Sequence, residues 1–334
     1  MLGKNQVPGK NVPRRTVPAV VAAASALALA ACSGSSGEPD PAASGEGGLT
    51  PVTVGVIPIV DVAPIYLGVQ EGFFEDEGLD VTLELAQGGA AIVPAVASGE
   101  YQFGFSNVTS LLLASQQGLP LKVVAPGNLT TGEAGKDFAA VVAMPDSGIE
   151  DAADLAGRTV AVNTLNNIGD TTVRKVVDDA GGDPSAVEFV EMGFPDMPAA
   201  VESGQVDAAW ILEPHLTRAL QAGAEPVAWN FAETDPNLLI AAYFTSEQQV
   251  ADDPETVDAF TAALEKSLTY AEENPDETRA VLDSYTEIDP AVKDAMVMPR
   301  FTAELDEAQV QRLADLGLQY GMFDEPVDVS ALMP

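Results

Sequence analysis

Cysteine and histidine occur once each in this chain of 334 residues, and basic side chains are few beside acidic ones. Its single cysteine, Cys32, forbids an intrachain disulfide, and one histidine beside it, His215, cannot complete a zinc-type ligand cluster. A Ser-His-Asp triad would have to use that same histidine, and neither a Walker loop nor a Gly-x-Ser-x-Gly elbow occurs. No metal, cofactor or catalytic residue is therefore expected, and any ATP hydrolysis belongs to another subunit. Lys and Arg number 15 against 51 Asp and Glu, a field that excludes nucleic acid as a partner. The acids are dispersed rather than run together, which fits a solvated folded surface; a saline habitat is one cause of such a composition.

What is present begins with an export pattern. Lys4, Lys10, Arg14 and Arg15 precede an apolar run from Val17 to Ala31, with no acid before Cys32. The run is about 15 residues long, short for a bilayer span. It ends in Leu29-Ala30-Ala31-Cys32-Ser33, which resembles the lipobox of bacterial lipoproteins. The resemblance implies cleavage before Cys32 and a lipid on its thiol; the Arg14-Arg15 pair leaves Sec and twin-arginine export both open. Residues 32–50, rich in Gly, Ser, Pro and acids, read as a flexible tether. Without residues 1–31 the chain keeps 51 acidic and 11 basic residues, a net charge of −40.

Beyond the tether one unit occurs twice. Ala95, Val96, Ser98 and Gly99 recur 105 positions later as Ala200, Val201, Ser203 and Gly204, and Gly88 recurs as Gly193. Each copy reads as strand, helix, strand, a short helix ending in Ser-Gly, and a third strand: Val52–Ile57, Val81–Leu85 and the run after Gly99 in the first, Thr159–Asn163, Val187–Val190 and Asp207–Leu212 in the second. Two α/β lobes with a cleft between them follow, each lobe large enough for its own core. The expected boundaries are 51–143 for the first lobe, 144–240 for the second, with the crossing in the breaker-rich loop 144–148, and 241–334 for a return to the first lobe and C-terminal helices. Asp253-Pro254, Asn274-Pro275 and Asp289-Pro290 each pair a capping side chain with proline at a first helical position. A last helix, Asp306 to Tyr320, offers Val310, Leu313, Leu316 and Leu318 for burial.

Ligands of open α/β sheets sit at the carboxyl ends of strands, which selects the candidate contacts. Asp61 lies in the first such loop; Gly88 and Gly89 offer bare N–H groups at a helix start; Ser106 and Asn107 follow the third strand with short neutral donors and acceptors; Asn128 ends another strand. In the second copy Thr164 and Asn166 stand at a helix start, Trp210 and Phe194 offer flat apolar faces, and Glu213 ends the third strand. Turn, cap and core roles compete at each of these positions. His215, beside Pro214, reads as a first-turn surface residue.

The order Ala63-Pro64-Ile65-Tyr66, Gly72-Phe73-Phe74, Glu77-Gly78-Leu79-Asp80-Val81, Gly88-Gly89 and Ser98-Gly99-Glu100 resembles the substrate-binding proteins of ABC importers, in the nitrate, sulfonate, taurine and thiamine-pyrimidine-precursor class. The similarity runs over about residues 51–320, and Asp207-Ala208-Ala209 with Glu213-Pro214 extends it into the second copy. It implies the type II periplasmic-binding-protein fold, two mixed sheets flanked by helices with a ligand cleft between lobes. It further implies a monomer outside the cytoplasmic membrane that captures a small solute by lobe closure and hands it to a permease with a cytoplasmic ATPase. Enzymes of the same fold, pyrimidine synthases and menaquinone-pathway enzymes, form the alternative; the synthases' cysteine-rich motif is absent here. No Arg or Lys lies in the cleft loops, while Asp61 and Glu213 do, so a neutral or weakly basic heteroaromatic solute, stacked on Trp210 or Phe194, is favoured over an anion.

Overall fold

A computed structural model describes residues 48–334; the expected signal segment, Cys32 and the tether up to residue 47 lie outside the described residues. The first lobe is laid down by β1 (Thr50–Val56), α1 (Ala63–Gln70), α2 (Phe73–Asp76), β2 (Leu79–Leu85), α3 (Gly89–Ala97), β3 (Phe103–Asn107), α4 (Val108–Gln116) and β4 (Leu121–Leu129). The second contains β5 (Ala139–Ala143), β6 (Thr159–Val162), α5 (Ile168–Asp179), β7 (Glu188–Glu191), α6 (Met197–Glu202), β8 (Ala208–Leu212), α7 (His215–Gln221), β9 (Glu225–Ala228) and α8 (Asn230–Thr234). The chain then returns through β10 (Leu239–Ser246), α9 (Glu247–Asp252), α10 (Pro254–Glu273), α11 (Pro275–Ala280), α12 (Pro290–Ala295), β11 (Arg300–Phe301) and α13 (Glu307–Gln319).

The two sheets repeat one plan. The first runs β11-β4-β10-β3-β1-β2 and the second β9-β5-β8-β6-β7, so in each a parallel trio (β2-β1-β3, β7-β6-β8) is followed by an antiparallel strand, β10 or β5. That fourth strand reaches each sheet from a crossing segment, which ties each lobe to the hinge. Sheet membership corrects the expected boundary. Because β5 pairs with β8 and β9, the first crossing lies between Leu129 and Ala139, not at 144–148. An apolar run such as Ala139–Ala143, buried throughout, has the same pattern in either sheet, so its sequence does not say which one it joins.

The repeat extends into the hydrogen bonds. Gly99 and Gly204 both take left-handed backbone (φ 77° and 68°), the conformation that glycine adopts at least cost when it ends a helix. Gln102 Oε1 accepts from Thr53 N (2.9 Å) while Gln102 N donates to Thr53 O (3.0 Å). Asp207 does the same with Thr159, its Oδ2 accepting at 2.8 Å and its N donating at 3.0 Å.

The hinge is cross-tied. Buried Asp137 accepts from Thr130 Oγ1, from Thr131 N and from Ala232 N of α8. Arg300 donates from Nε to Thr130 O and from Nη2 to Pro236 O, both at 2.8 Å, and so holds the two crossing segments with one guanidinium. In the first lobe α10 covers the sheet, with Phe260 stacked on Phe103 at 3.8 Å. Of the three Asx-Pro starts, Asp253 and Asp289 cap as expected, whereas Asn274 turns its amide back to Tyr270 O. In α13 Val310, Leu313 and Leu316 are buried but Leu318 is exposed. Gly317 occupies that face instead, because Phe323 packs where its Cβ would stand.

Candidate functional site

The carboxyl ends of both parallel trios face one another across a cleft with an inner and an outer part. The inner pocket, about 30 Å³, is lined from both lobes, and its lining follows the repeat. Gly89 and Phe194, Phe105 and Trp210, and Asn107 and Leu212 are each 105 positions apart, and all six line it. Strand register adds a fourth pair: Val54 faces Phe103 as Val160 faces Ala208, so Ile57 corresponds to Asn163, and both of these line the pocket as well. Unpaired additions are Ile59, Asp61, Ile168, Phe231 and the hinge strand's Ile240 and Ala241. The outer cleft, about 350 Å³, shares Ile57, Ile59, Asn163 and Phe194 with the inner pocket and reaches Gln87, Glu191 and His215. That volume lies within the range of small-molecule sites, roughly 300–1,000 Å³; the inner pocket holds about one water. Among the described residues no Lys or Arg lines either part.

Glycines set the close approaches. A Cβ on Gly89 would stand 2.0 Å from Ser106 Oγ, and one on Gly169 would stand 2.5 Å from the Trp210 ring. Only glycine lets α3 and α5 start so near the strands that end in the pocket. The indole packs edge-on against Phe194 and Phe231, both at 5.5 Å between centroids. Its Nε1–H, although buried, has no protein acceptor. Asp61 is 2% exposed; Asn128 Nδ2 donates to its Oδ1 at 2.9 Å, and Oδ2 has no protein partner. Burial raises the Asp61 carboxyl to about 7, opposed chiefly by the Asn128 hydrogen bond. The Tyr243 hydroxyl is likewise buried without a partner, and burial raises its pKa well above the usual tyrosine value, with the Asp61 carboxyl pushing the same way. Buried polar groups without partners are uncommon in folded proteins. Here Asp61 and Trp210 both line one pocket.

Residues 59–278 match the family described as NMT1/THI5 like. The chain belongs to that family. The formylaminopyrimidine-binding protein of Halalkalibacterium halodurans is 26% identical over 225 residues, covering 65% of this chain and 64% of that protein, just under two thirds of its length. A 4-amino-5-hydroxymethyl-2-methylpyrimidine phosphate synthase of Aspergillus parasiticus is 23% identical over 243 residues, covering 68% and 67%. Among solved structures, the alkanesulfonate-binding protein of Xanthomonas axonopodis pv. citri bound to MOPS superposes with a TM-score of 0.71 at 18% identity, over 86% of this chain and 99% of that one. That likeness shows the fold, the two-lobed periplasmic-binding-protein architecture.

In this NMT1/THI5-like chain five of the candidate contacts, Asp61, Gly89, Asn107, Phe194 and Trp210, line the inner pocket. Gly88 is buried beside it, 3.9 Å or less from Asn163 and Thr164 of the facing lobe when a Cβ is placed on it. Asn107 also caps α4, its Oδ1 accepting from Ser110 N. The other candidates stand elsewhere. Ser106 lies behind Gly89, fully buried, and Asn128 lies behind Asp61. Thr164 lines a separate groove against α3 and α4. Asn166 is exposed and faces the turn after α13, and the cap of α5 is Asn167, not Asn166. Glu213 does not line the pocket: Thr217 N and Oγ1 and Val297 N all donate to its carboxylate. Burial raises its pKa. His215 is the reverse case. Expected at the surface, it is 9% exposed and lines the outer cleft, where burial lowers it to about 4 and keeps the ring neutral. Phe105 and Leu212 were singled out by no loop rule, yet the repeat offset from Trp210 and Asn107 points to both.

Outside the pocket the lobes meet at Asn167, whose Nδ2 donates to Ser110 Oγ at 2.9 Å. Among the described residues no group of three His, Cys, Asp or Glu side chains could hold a metal ion.

Proposed function

We propose that this chain is the extracytoplasmic solute-binding component of an ABC importer. It takes one small, uncharged or weakly basic heteroaromatic molecule between its lobes and presents it to a permease, whose ATPase works in the cytoplasm. The observation that carries the reading is the cleft itself: matched positions of two copies converge on it, with the partnerless Trp210 Nε1–H on one side and the partnerless Asp61 Oδ2 on the other. A donor on one wall and an acceptor on the other, among apolar residues, fit a ring with heteroatoms, and walls without Lys or Arg among the described residues disfavour sulfonate or nitrate. The inner pocket is smaller than a ring, so seating one requires the lobes to separate about the Arg300–Asp137 hinge and close again. The sequence of residues 1–32 supports export and a lipid anchor at the outer face of the cytoplasmic membrane; the chain acts as a monomer.

Titration calorimetry with pyrimidines, sulfonates and nitrate is the test, and a saturable one-to-one heat with a heteroaromatic compound is the expected result. A signal with sulfonate or nitrate alone overturns the choice of solute. The resemblance to the Aspergillus synthase keeps a second reading, an enzyme of the same fold. Recovery of the bound compound chemically unchanged after prolonged incubation is expected, and its conversion overturns the binding reading.

A further inference from the structure

We infer that Asn128 is a positioning residue that decides which solutes the cleft accepts: by donating an amide N–H to Asp61 Oδ1, it turns the carboxylate so that Oδ2 meets the solute as an acceptor for a solute N–H. The inference rests on the reading of the cleft as the solute site and adds to it a selection rule.

The geometry around Asp61 leaves little freedom. Asn128 is fully buried near the end of β4, where the strand pairs with Ala241 of β10 on one side and Phe301 of β11 on the other, so its backbone is held from both edges. The loop carrying Asp61 is held too, since Tyr285 Oη donates to Ile59 O at 3.0 Å. With Oδ1 engaged at 2.9 Å, the oxygen left over is the one without a protein partner. The titratable groups that act on this carboxylate, or on which it acts, are Asp137 of the crossing segment, Tyr243 of β10 and Tyr285, with Tyr66 of α1 stacked on Tyr285. None is a cation. Burial and the Asp137 charge favour the protonated acid, and among the side chains that act on it the Asn128 amide alone favours the carboxylate. Asn128 thus keeps Asp61 an acceptor as well as aiming it. A buried acceptor that needs an N–H rejects an analogue without one far more strongly than an apolar wall rejects a missing methylene. The accepted class is therefore neutral or cationic rings bearing an amino or ring N–H, and anions are refused.

The experiment titrates 4-aminopyrimidine, pyrimidine and taurine by calorimetry into the full-length wild type, Asn128→Leu and Asp61→Asn, from about pH 6 to about pH 9. Wild type is expected to bind 4-aminopyrimidine at least about tenfold more tightly than pyrimidine, with affinity rising through about pH 7, and not to bind taurine. In Asn128→Leu the midpoint of that rise moves to higher pH and affinity recovers at the alkaline end, whereas a merely structural role would lower affinity equally at every pH. An unmoved midpoint overturns the role of Asn128 and leaves the cleft reading intact. Wild type binding none of the three compounds, or taurine in preference, overturns both. Should Asn128→Leu fail to melt cooperatively, Asn128→Ala replaces it with the same two outcomes, and a retained pH profile in Asp61→Asn overturns the inference.

Discussion

The two walls of the cleft come from copies of one unit, and they differ in what they present. Where the second wall has the rings of Phe194 and Trp210, the first has Gly89 and Phe105 at the matching positions. Where the first has the amide of Asn107, the second has Leu212, and the relation reverses at Ile57 and Asn163. The backbone roles, by contrast, are kept: Gly99 with Gly204, and Gln102 with Asp207. The lesson is that duplication fixes where a wall stands and leaves open what it offers. Unlike walls offer different groups to the two sides of whatever lies between them. Two like walls would give a symmetric pocket suited to a symmetric guest.

Substitutions at matched positions can break this comparison, and the largest effect is expected at Trp210 and Phe105. Both are buried, so truncation of either to alanine leaves a cavity costing about 3–5 kcal/mol of stability in denaturant unfolding. Binding separates them. Trp210→Ala also removes the only indole N–H in the pocket and should weaken calorimetric affinity more than tenfold beyond the loss in Phe105→Ala. Equal losses would mean that the walls contribute alike.

Next in size are the titrating groups, one per lobe, and they act in opposite senses. Asp61 binds its proton more tightly folded than unfolded, so stability falls as pH rises from about 4 to about 7, where its carboxyl is forced to ionise. Asp61→Asn should therefore raise unliganded stability at pH 8 by a few kcal/mol and change little near pH 4. His215, lowered to about 4, binds its proton less tightly folded. Stability is lost as pH falls from about 6.5 to about 4, and His215→Gln should remove that acid sensitivity. Urea midpoints across pH 4 to 8 check both signs.

Much of this was legible from local chemistry. Helix ends at Gly99 and Gly204 announce themselves because left-handed backbone leaves few residue choices. The places of Asp61 and Asn107 beside the cleft follow from the carboxyl ends of their strands, and that of Trp210 from its large flat ring on β8. What escaped were properties set by distant partners. Glu213 is satisfied partly by Val297, 84 positions away, so no local pattern shows its charge to be engaged. His215 is buried by the cleft walls around it, which its neighbours in sequence do not encode. The crossing was misplaced because β5 carries side chains equally suited to either sheet. Asn128 is a candidate contact from its strand end, yet it donates to the Asp61 carboxylate, 67 positions earlier, which no local pattern shows.

The smallest expected effect tests the retained backbone roles. Gln102 and Asp207 each accept one N–H from a parallel strand, that of Thr53 in the middle of β1 and that of Thr159 at the start of β6. Gln102→Leu leaves the Thr53 N–H without its acceptor, and Asp207→Leu does the same to Thr159; a half-buried unmade hydrogen bond costs about 1 kcal/mol. Asp207→Asn keeps an acceptor oxygen at that position, so it should cost less than half as much; the Arg158 contact it weakens is 3.9 Å long and partly exposed. Because the two sites lie in different lobes and share no partner, the Leu double variant should lose the sum of the single losses within about 0.5 kcal/mol. Solute affinity should stay within about twofold, since neither residue lines the cleft. A double variant that loses far more than the sum would show that the two sites are energetically coupled through the hinge, and that the copies, alike in plan, no longer stand independently.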